Sequence, residues 1–358
     1  MSRVSTFNNE IKPAVRNSFA AMKLLGLGKP ATIEFYNGMK LRFDSSEQEL
    51  FINIAKSLMK LRRTGIEPAF ADGILTLRIF PNSAVRLAVN NSTKMELYNL
   101  ISLVYYSLKY GAVINSEKGS LADTFRVPSL YIDSEKRTVE TNNRIKFGLK
   151  DIEPWIFVET FVLSIHNRLM DNMKNKTVLD IGACFGDTAL YFASRGARVF
   201  SLEPAKRNFQ ALNDNLDLNP RLKKLVHPMQ CALGKSDGIV EMRTSGVLID
   251  GGSSAFMARV GASEKVKSYR FDTLVKDLKL EYVDYVKMDC KGAEFFLTSH
   301  DLGLIKKYIQ IEYTAENEEQ TAKLLGLLER SGFKTLVYRQ NPGEDEKISE
   351  RGTICGVR

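Results

Sequence analysis

The run Asp180-Ile-Gly-Ala-Cys-Phe-Gly-Asp-Thr188 sets two acids and a hydroxyl around two glycines, and a further acid, Glu203, follows 21 residues beyond Gly182. An acid about 20 residues past a glycine turn, at the tip of the next strand, is placed to accept both hydroxyls of a ribose. Reading the turn as Gly-x-Gly-x-x-Gly puts Gly182, Cys184 and Asp187 at the three glycine positions. Asp187 would place negative charge where a pyrophosphate sits on a helix N-terminus, which argues against NAD or FAD. S-adenosylmethionine has no phosphate and carries a sulfonium cation, so it tolerates Asp180 and Asp187. An ordinary turn with no ligand is the alternative.

A second group of polar residues falls later. Lys287, Asp289, Lys291 and Glu294 lie in Val286-Lys-Met-Asp-Cys-Lys-Gly-Ala-Glu294, and Glu312 closes Ile309-Gln-Ile-Glu312. Alternation puts Lys287 and Asp289 on one side of a strand whose carboxyl end faces the ligand crevice of an open parallel sheet. A lysine in so apolar a strand needs a partner, and Glu312 or Asp289 is expected to supply it. Methyl transfer is an in-line displacement that needs an aligned nucleophile and a place for its proton. For a hydroxyl acceptor, Asp289 is the expected base or positioning group, with Glu294 and Glu312 next. Lys291 is expected to bind an anionic substrate. Asp289 and Glu294 lack a histidine at a diagnostic spacing, so no metal is expected. His227 and His300 have no partner that the sequence identifies.

These residues resemble those of the FkbM family of S-adenosylmethionine-dependent methyltransferases. Asp180 to Thr188, Glu203-Pro204, Ala232-Leu-Gly234, Phe271-Asp-Thr-Leu274, Val286 to Glu294 and Ile309 to Glu312 follow the family's order, over about residues 154–340. Cys184 stands where the family usually has Asn, and Lys291 where it usually has Glu. The resemblance implies a Rossmann-like class I methyltransferase domain with a seven-stranded, mostly parallel sheet. It implies O-methylation of a sugar or natural-product hydroxyl. S-adenosylmethionine would then be held by Asp180, Gly182, Ala183, Cys184, Phe185, Gly186, Asp187, Thr188, Glu203 and Pro204, with Cys231, Ala232 and Leu233 along the adenine.

The elements that must position these groups are legible from periodicity. Val178 to Ile181 and Arg198 to Leu202 read as parallel strands flanking an amphipathic helix, Asn208 to Leu218 as a helix ending at Asn219-Pro220, and Val226 to Cys231 as a third strand. Tyr285 to Met288 and Tyr308 to Tyr313 continue the sheet, a helix covers Glu318 to Arg330, and Phe333 to Tyr338 with Thr353 to Val357 forms an antiparallel edge. Gly251-Gly-Ser-Ser254 reads as a substrate loop or a hairpin connection.

Residues 1–150 are expected to form an α+β accessory domain, and 151–358 the methyltransferase domain. In the first part a stripe from Val4 to Leu25 suits a helix interrupted near Pro13, and Ile33 to Phe43 reads as a hairpin about Asn37-Gly38. Helices are expected over about 46–63 and 94–110, strands near 74–80 and 85–89, further strands within 121–149, and a helix from Pro154 to about Met173. The only tryptophan, Trp155, is expected in interdomain packing.

At 358 residues and 44% hydrophobic the chain can bury a sizeable core. Its net charge of +9 lies in residues 1–150, which hold 22 Lys and Arg against 13 Asp and Glu. That excess suits either a dispersed, solvated surface or a polyanionic partner such as RNA, a phosphorylated glycan or a membrane surface. RNA methylation through this basic part is therefore an alternative, although no RNA-binding motif and no Asn-Pro-Pro-Tyr element is present. A non-catalytic scaffold that keeps S-adenosylmethionine is a third reading. No segment suits a membrane span or a signal peptide, and the four cysteines lack metal-ligand spacing. A soluble cytoplasmic protein with free thiols is expected, with a homo-oligomer open.

Overall fold

The computed structural model describes residues 7–79, 83–116, 128–166, 173–244, 249, 262–338 and 347–358. Residues 250–261 of the glycine-serine stretch, and with them the substrate-loop expectation, lie outside the described residues, as do residues 1–6 of the N-terminal stripe.

Two compact units divide at Leu163 and Ser164. The expected division at 150/151 lies earlier in the chain. The helix Pro154–Phe161 belongs to the first unit because its aromatic residues pack there. Phe157 and Phe161 meet Phe147 with ring centroids 5.3 Å apart in each pair, and Trp155 lies 5.3 Å from Tyr106 and 5.7 Å from Tyr110. That helix ends well short of Met173, and residues 164–166 turn away from helical structure. Trp155 thus has aromatic partners within the first unit.

The first unit is α+β. The hairpin of Ala31–Glu34 and Lys40–Phe43 turns about Asn37-Gly38 as its sequence predicts. Helices Gln48–Arg62 and Lys94–Lys109 pack together, with three-stranded and four-stranded sheets beside them in the chain. At the N-terminal end, short helical turns over Phe7–Ile11 and Lys12–Ala14 precede the helix Ser18–Gly26, and Phe19 is exposed instead of continuing a buried stripe.

In the second unit, seven strands form one sheet: β1 (Thr177–Ile181), β2 (Arg198–Leu202), β3 (Val226–Met229), β4 (Val283–Met288), β5 (Ile305–Thr314), β6 (Lys334–Tyr338) and β7 (Arg351–Val357). Their order is β3-β2-β1-β4-β5-β7-β6. All neighbours from β3 to β5 are parallel, while β7 runs antiparallel to both β5 and β6. This is the doubly wound, mostly parallel sheet the sequence implies. Helices α1 (Asp187–Ser194), α2 (Lys206–Asp217) and α3 (Glu318–Arg330) accompany it. β4 is buried at every position, as a strand covered on both faces must be. Its Val283, Val286 and Met288 share a core with Leu179, Ile181, Phe200, Leu202, Ile309 and Ile311. From β1 the chain winds outward to β2 and β3, then returns to β4 on the other side of β1. Strand order therefore reverses between β1 and β4, and their carboxyl ends bound the crevice where ligands bind in such sheets.

Candidate active site

Gly182 follows β1 and Asp289 follows β4, so the reversal brings the glycine turn against the acid. The backbone N–H of Asp289 donates to Ile181 O at 2.9 Å. Gly182 has φ +81°, and a Cβ placed on it would lie 2.0 Å from Asp289 O, so only glycine lets these two chains meet. Cys184, in the same turn, also adopts the left-handed region, with φ +48°. Asn takes that conformation readily, which gives the family's usual residue here a physical basis; cysteine holds it at some strain.

Around the turn, Glu203 is 4% exposed. Its Oε2 accepts from Cys184 N–H at 2.8 Å and its Oε1 from Ala205 N–H at 2.9 Å. Asn208 Nδ2 adds a longer contact to Oε1 at 3.4 Å. Burial pushes the carboxyl up to about 8 despite these donors. Asp180 Oδ2 accepts from the Thr188 hydroxyl at 2.8 Å, and Asp187 opens α1, buried. Phe185 O accepts from Asn215 Nδ2 at 3.0 Å, tying the turn to α2. Cys231, Ala232 and Leu233 form a buried strand paired in parallel with Ala262–Tyr269, in a small sheet apart from the main one.

The ion pairs differ from expectation. Lys287 pairs with neither Glu312 nor Asp289. Its Nζ donates to Gly182 O at 2.9 Å and lies 3.5 Å from Asp180 Oδ1, because Asp180 is its direct neighbour across β1 and β4. Lys291 takes both of the expected partners: its Nζ is 2.6 Å from Asp289 Oδ1 and 2.6 Å from Glu312 Oε1. An ammonium held between two carboxylates has much of its charge already answered. Burial would raise Asp289, but the charges of Lys291 and Lys287 outweigh it and hold the carboxyl below the usual range. Glu312 moves the other way, through burial first and then repulsion from Asp289. Glu294 is fully buried. Its Oε2 accepts from Gly292 N–H at 2.8 Å, its Oε1 has no hydrogen-bond partner among the described residues, and burial lifts the carboxyl to about 7.

These residues fall in a segment with a clear relative. The sequence model of the methyltransferase FkbM domain matches residues 180–335. This segment is an FkbM methyltransferase domain. A domain of this kind implies S-adenosylmethionine-dependent methyl transfer. No curated protein matches the chain significantly. Among solved structures, the unit resembles the FkbM methyltransferase of Methylobacillus flagellatus KT at 15% identity and TM-score 0.37, covering 58% of this chain and 51% of that one. The chain thus spans about half the length of that relative. A precorrin-6y C5,15-methyltransferase of Geobacter metallireducens GS-15 matches at 14% identity and TM-score 0.33, over 55% of this chain and 87% of the other. A magnesium protoporphyrin IX methyltransferase of Synechocystis PCC 6803, solved with bound SAM, matches at 12% identity and TM-score 0.30, over 56% and 76%. Likeness at this level leaves the methyl acceptor open.

The second unit also holds a histidine, ahead of the matched segment, that sequence reasoning passed over. His166 is 7% exposed, and its Nδ1 lies 3.1 Å from Gln310 Nε2 on β5. It feels the charges of both Lys287 and Asp289. The signal available in the sequence was Gln310 itself, a polar residue inside the apolar strand Ile309 to Tyr313. The other two histidines lie elsewhere: His227 stacks on Phe200 at 4.9 Å, and His300 lines a surface cavity of about 400 Å³ with Asp272, Lys276 and Leu304, none of them a residue of the site. None of the four cysteines forms a disulfide, no group of three or more candidate ligands could hold a metal among the described residues, and no described helix is long and apolar enough to cross a membrane.

Proposed function

We propose that the domain methylates a hydroxyl group on a glycan or small molecule. S-adenosylmethionine, when bound, supplies a methyl group on a positively charged sulfur. The residues present suit it. Glu203 is a buried carboxyl whose remaining lone pairs match the two donors of a ribose diol. Gly182 lets the turn close on the end of β4, and Asp187 at the start of α1 favours a cation over a phosphate. The backbone of Ala183 and Cys184 would lie along the cofactor, and Cys231 to Leu233 along its adenine.

The observation that carries the reading is the state of Asp289: a carboxylate kept ionised by two lysines at the carboxyl end of β4, beside the turn. Held below the usual range it is a weak base, so its part is to accept the hydroxyl's hydrogen bond and aim the oxygen. Glu294 and Glu312, whose proton affinities are raised, are the groups suited to take the proton as the new C–O bond forms. The doubly paired Lys291 supports a working site over a scaffold, since it preserves the charge on Asp289 where an unpaired acid would protonate.

Calorimetric titration with S-adenosylmethionine, followed by transfer of labelled methyl to a panel of glycans and simple alcohols, tests this. Binding lost in Glu203→Ala is expected, with transfer reduced about a hundredfold in Asp289→Asn by misalignment. Absence of S-adenosylmethionine binding, or label recovered on nitrogen, would sink the reading.

A further inference from the structure

We propose that His166 is the hydrogen-bond donor of the acceptor site and selects oxygen over nitrogen nucleophiles. The inference rests on the O-methylation reading and specifies the chemistry of its acceptor.

The argument begins with an amide whose orientation is determined by its neighbours. Ile165 O can only accept, and Gln310 Nε2 lies 3.4 Å from it, while the Tyr285 hydroxyl donates to Gln310 Oε1 at 3.0 Å. Gln310 therefore presents its nitrogen to His166, and its second N–H donates to His166 Nδ1 at 3.1 Å. An Nδ1 that accepts carries no proton, so the neutral ring bears its hydrogen on Nε2. Burial and the nearby Lys287 charge, opposed by Asp289, push the imidazole down to about 3, so it stays neutral at physiological pH.

Nε2–H is thus a donor of fixed position. It makes no hydrogen bond among the described residues, on a residue that is 7% exposed. A ring N–H that the protein leaves without a partner is open to a ligand. The strand pair that holds the ring also places the acid. Gln310 sits opposite Lys287 across β4 and β5, and the chain reaches Asp289 two residues beyond Lys287.

A donor and an ionised acceptor together fit a hydroxyl. Its hydrogen goes to Asp289, one lone pair takes Nε2–H, and the second lone pair remains for the methyl carbon. The C–O bond forms from that pair as the C–S bond breaks, the electrons return to sulfur, and the hydroxyl proton, now strongly acidic, passes along its hydrogen bond to Asp289, with Glu312 or Glu294 as its onward acceptor. A neutral amine has a single lone pair, which a bond from His166 would occupy. The same pair of residues therefore favours alcohols and opposes amines.

Two measurements test this. The chain has three histidines, so ring ¹⁵N spectra are simple to assign with single variants. His166 should show a protonated Nε2 and bare Nδ1 without change from about pH 5 to about pH 8, and Gln310→Leu should mix the tautomers. A ring that titrates near its ordinary value, or carries its proton on Nδ1, overturns the proposal. Labelled methyl transfer to a methyl glycoside and to its matched amino sugar gives the second. Wild type should label the hydroxyl alone. His166→Phe should lower kcat/KM on the glycoside about tenfold, one hydrogen bond's worth, with S-adenosylmethionine affinity unchanged, and His166→Asn should restore part of it. Hydroxyl methylation indifferent to His166→Phe removes this inference and leaves O-methylation standing. Amine methylation by wild type removes both.

Discussion

Two buried charges carry most of what single residues contribute. Glu203 has an ordinary carboxyl value of 4.5 and a folded value of about 8. Between those values the folded chain keeps a proton that the unfolded chain has lost. Its contribution to stability is therefore full below about 4.5 and falls as pH rises through about 8. A ribose diol donates to the ionised form, so cofactor binding near pH 7 should expel a proton. Calorimetry in buffers of different ionisation enthalpy should give a binding enthalpy that changes with buffer at pH 7 and ceases to do so above about pH 9. One enthalpy in all buffers at pH 7 would show that the carboxyl enters binding already ionised. Lys291 makes the second case. Lys291→Met leaves Asp289 and Glu312 facing without their shared cation, and urea unfolding should show a loss of about 3–5 kcal/mol. Adding Glu312→Leu should recover part of it, because the repulsion goes with the second carboxylate.

At the scale of elements, the crevice depends on how closely β1 and β4 can end. Gly182→Ala would put a methyl into Asp289 O and force a left-handed backbone on a residue that resists it. A loss on the order of 3 kcal/mol is expected. A variant with wild-type melting would mean that the turn and β4 can separate without cost. The sequence announces this junction because glycine turn, acid and strand periodicity each leave a local mark. It announces β4 and β5 for the same reason, through Tyr285 to Met288 and Tyr308 to Tyr313. Pairings across strands leave no local mark. Lys287 faced several plausible acids in sequence, and only the register of β1 against β4 selects Asp180. His166 was hidden more deeply, since it follows a helix that ends earlier than its apolar sequence implies, and its partner Gln310 is 144 residues away.

The whole molecule is basic in its first unit, and the distribution of its pairs decides what that charge can do. Glu34 is shared by Arg16 and Lys40, Glu47 is taken by Lys94, Glu67 by Arg62, and Glu140 by Arg144 and Lys146. Many of the cations are thus answered locally, and the remainder is spread across helices and sheets. Non-specific RNA binding needs several lysines and arginines to displace counterions from one phosphate backbone together. A fluorescent single-stranded RNA of mixed sequence should therefore bind more weakly than about 1 µM at physiological salt. Tight binding that collapses steeply between low and physiological salt would instead identify a continuous basic track, and would move the acceptor search to RNA. In that case His166 gives the sharper expectation within it: a ribose hydroxyl would be the methylated position, and a base amine would not.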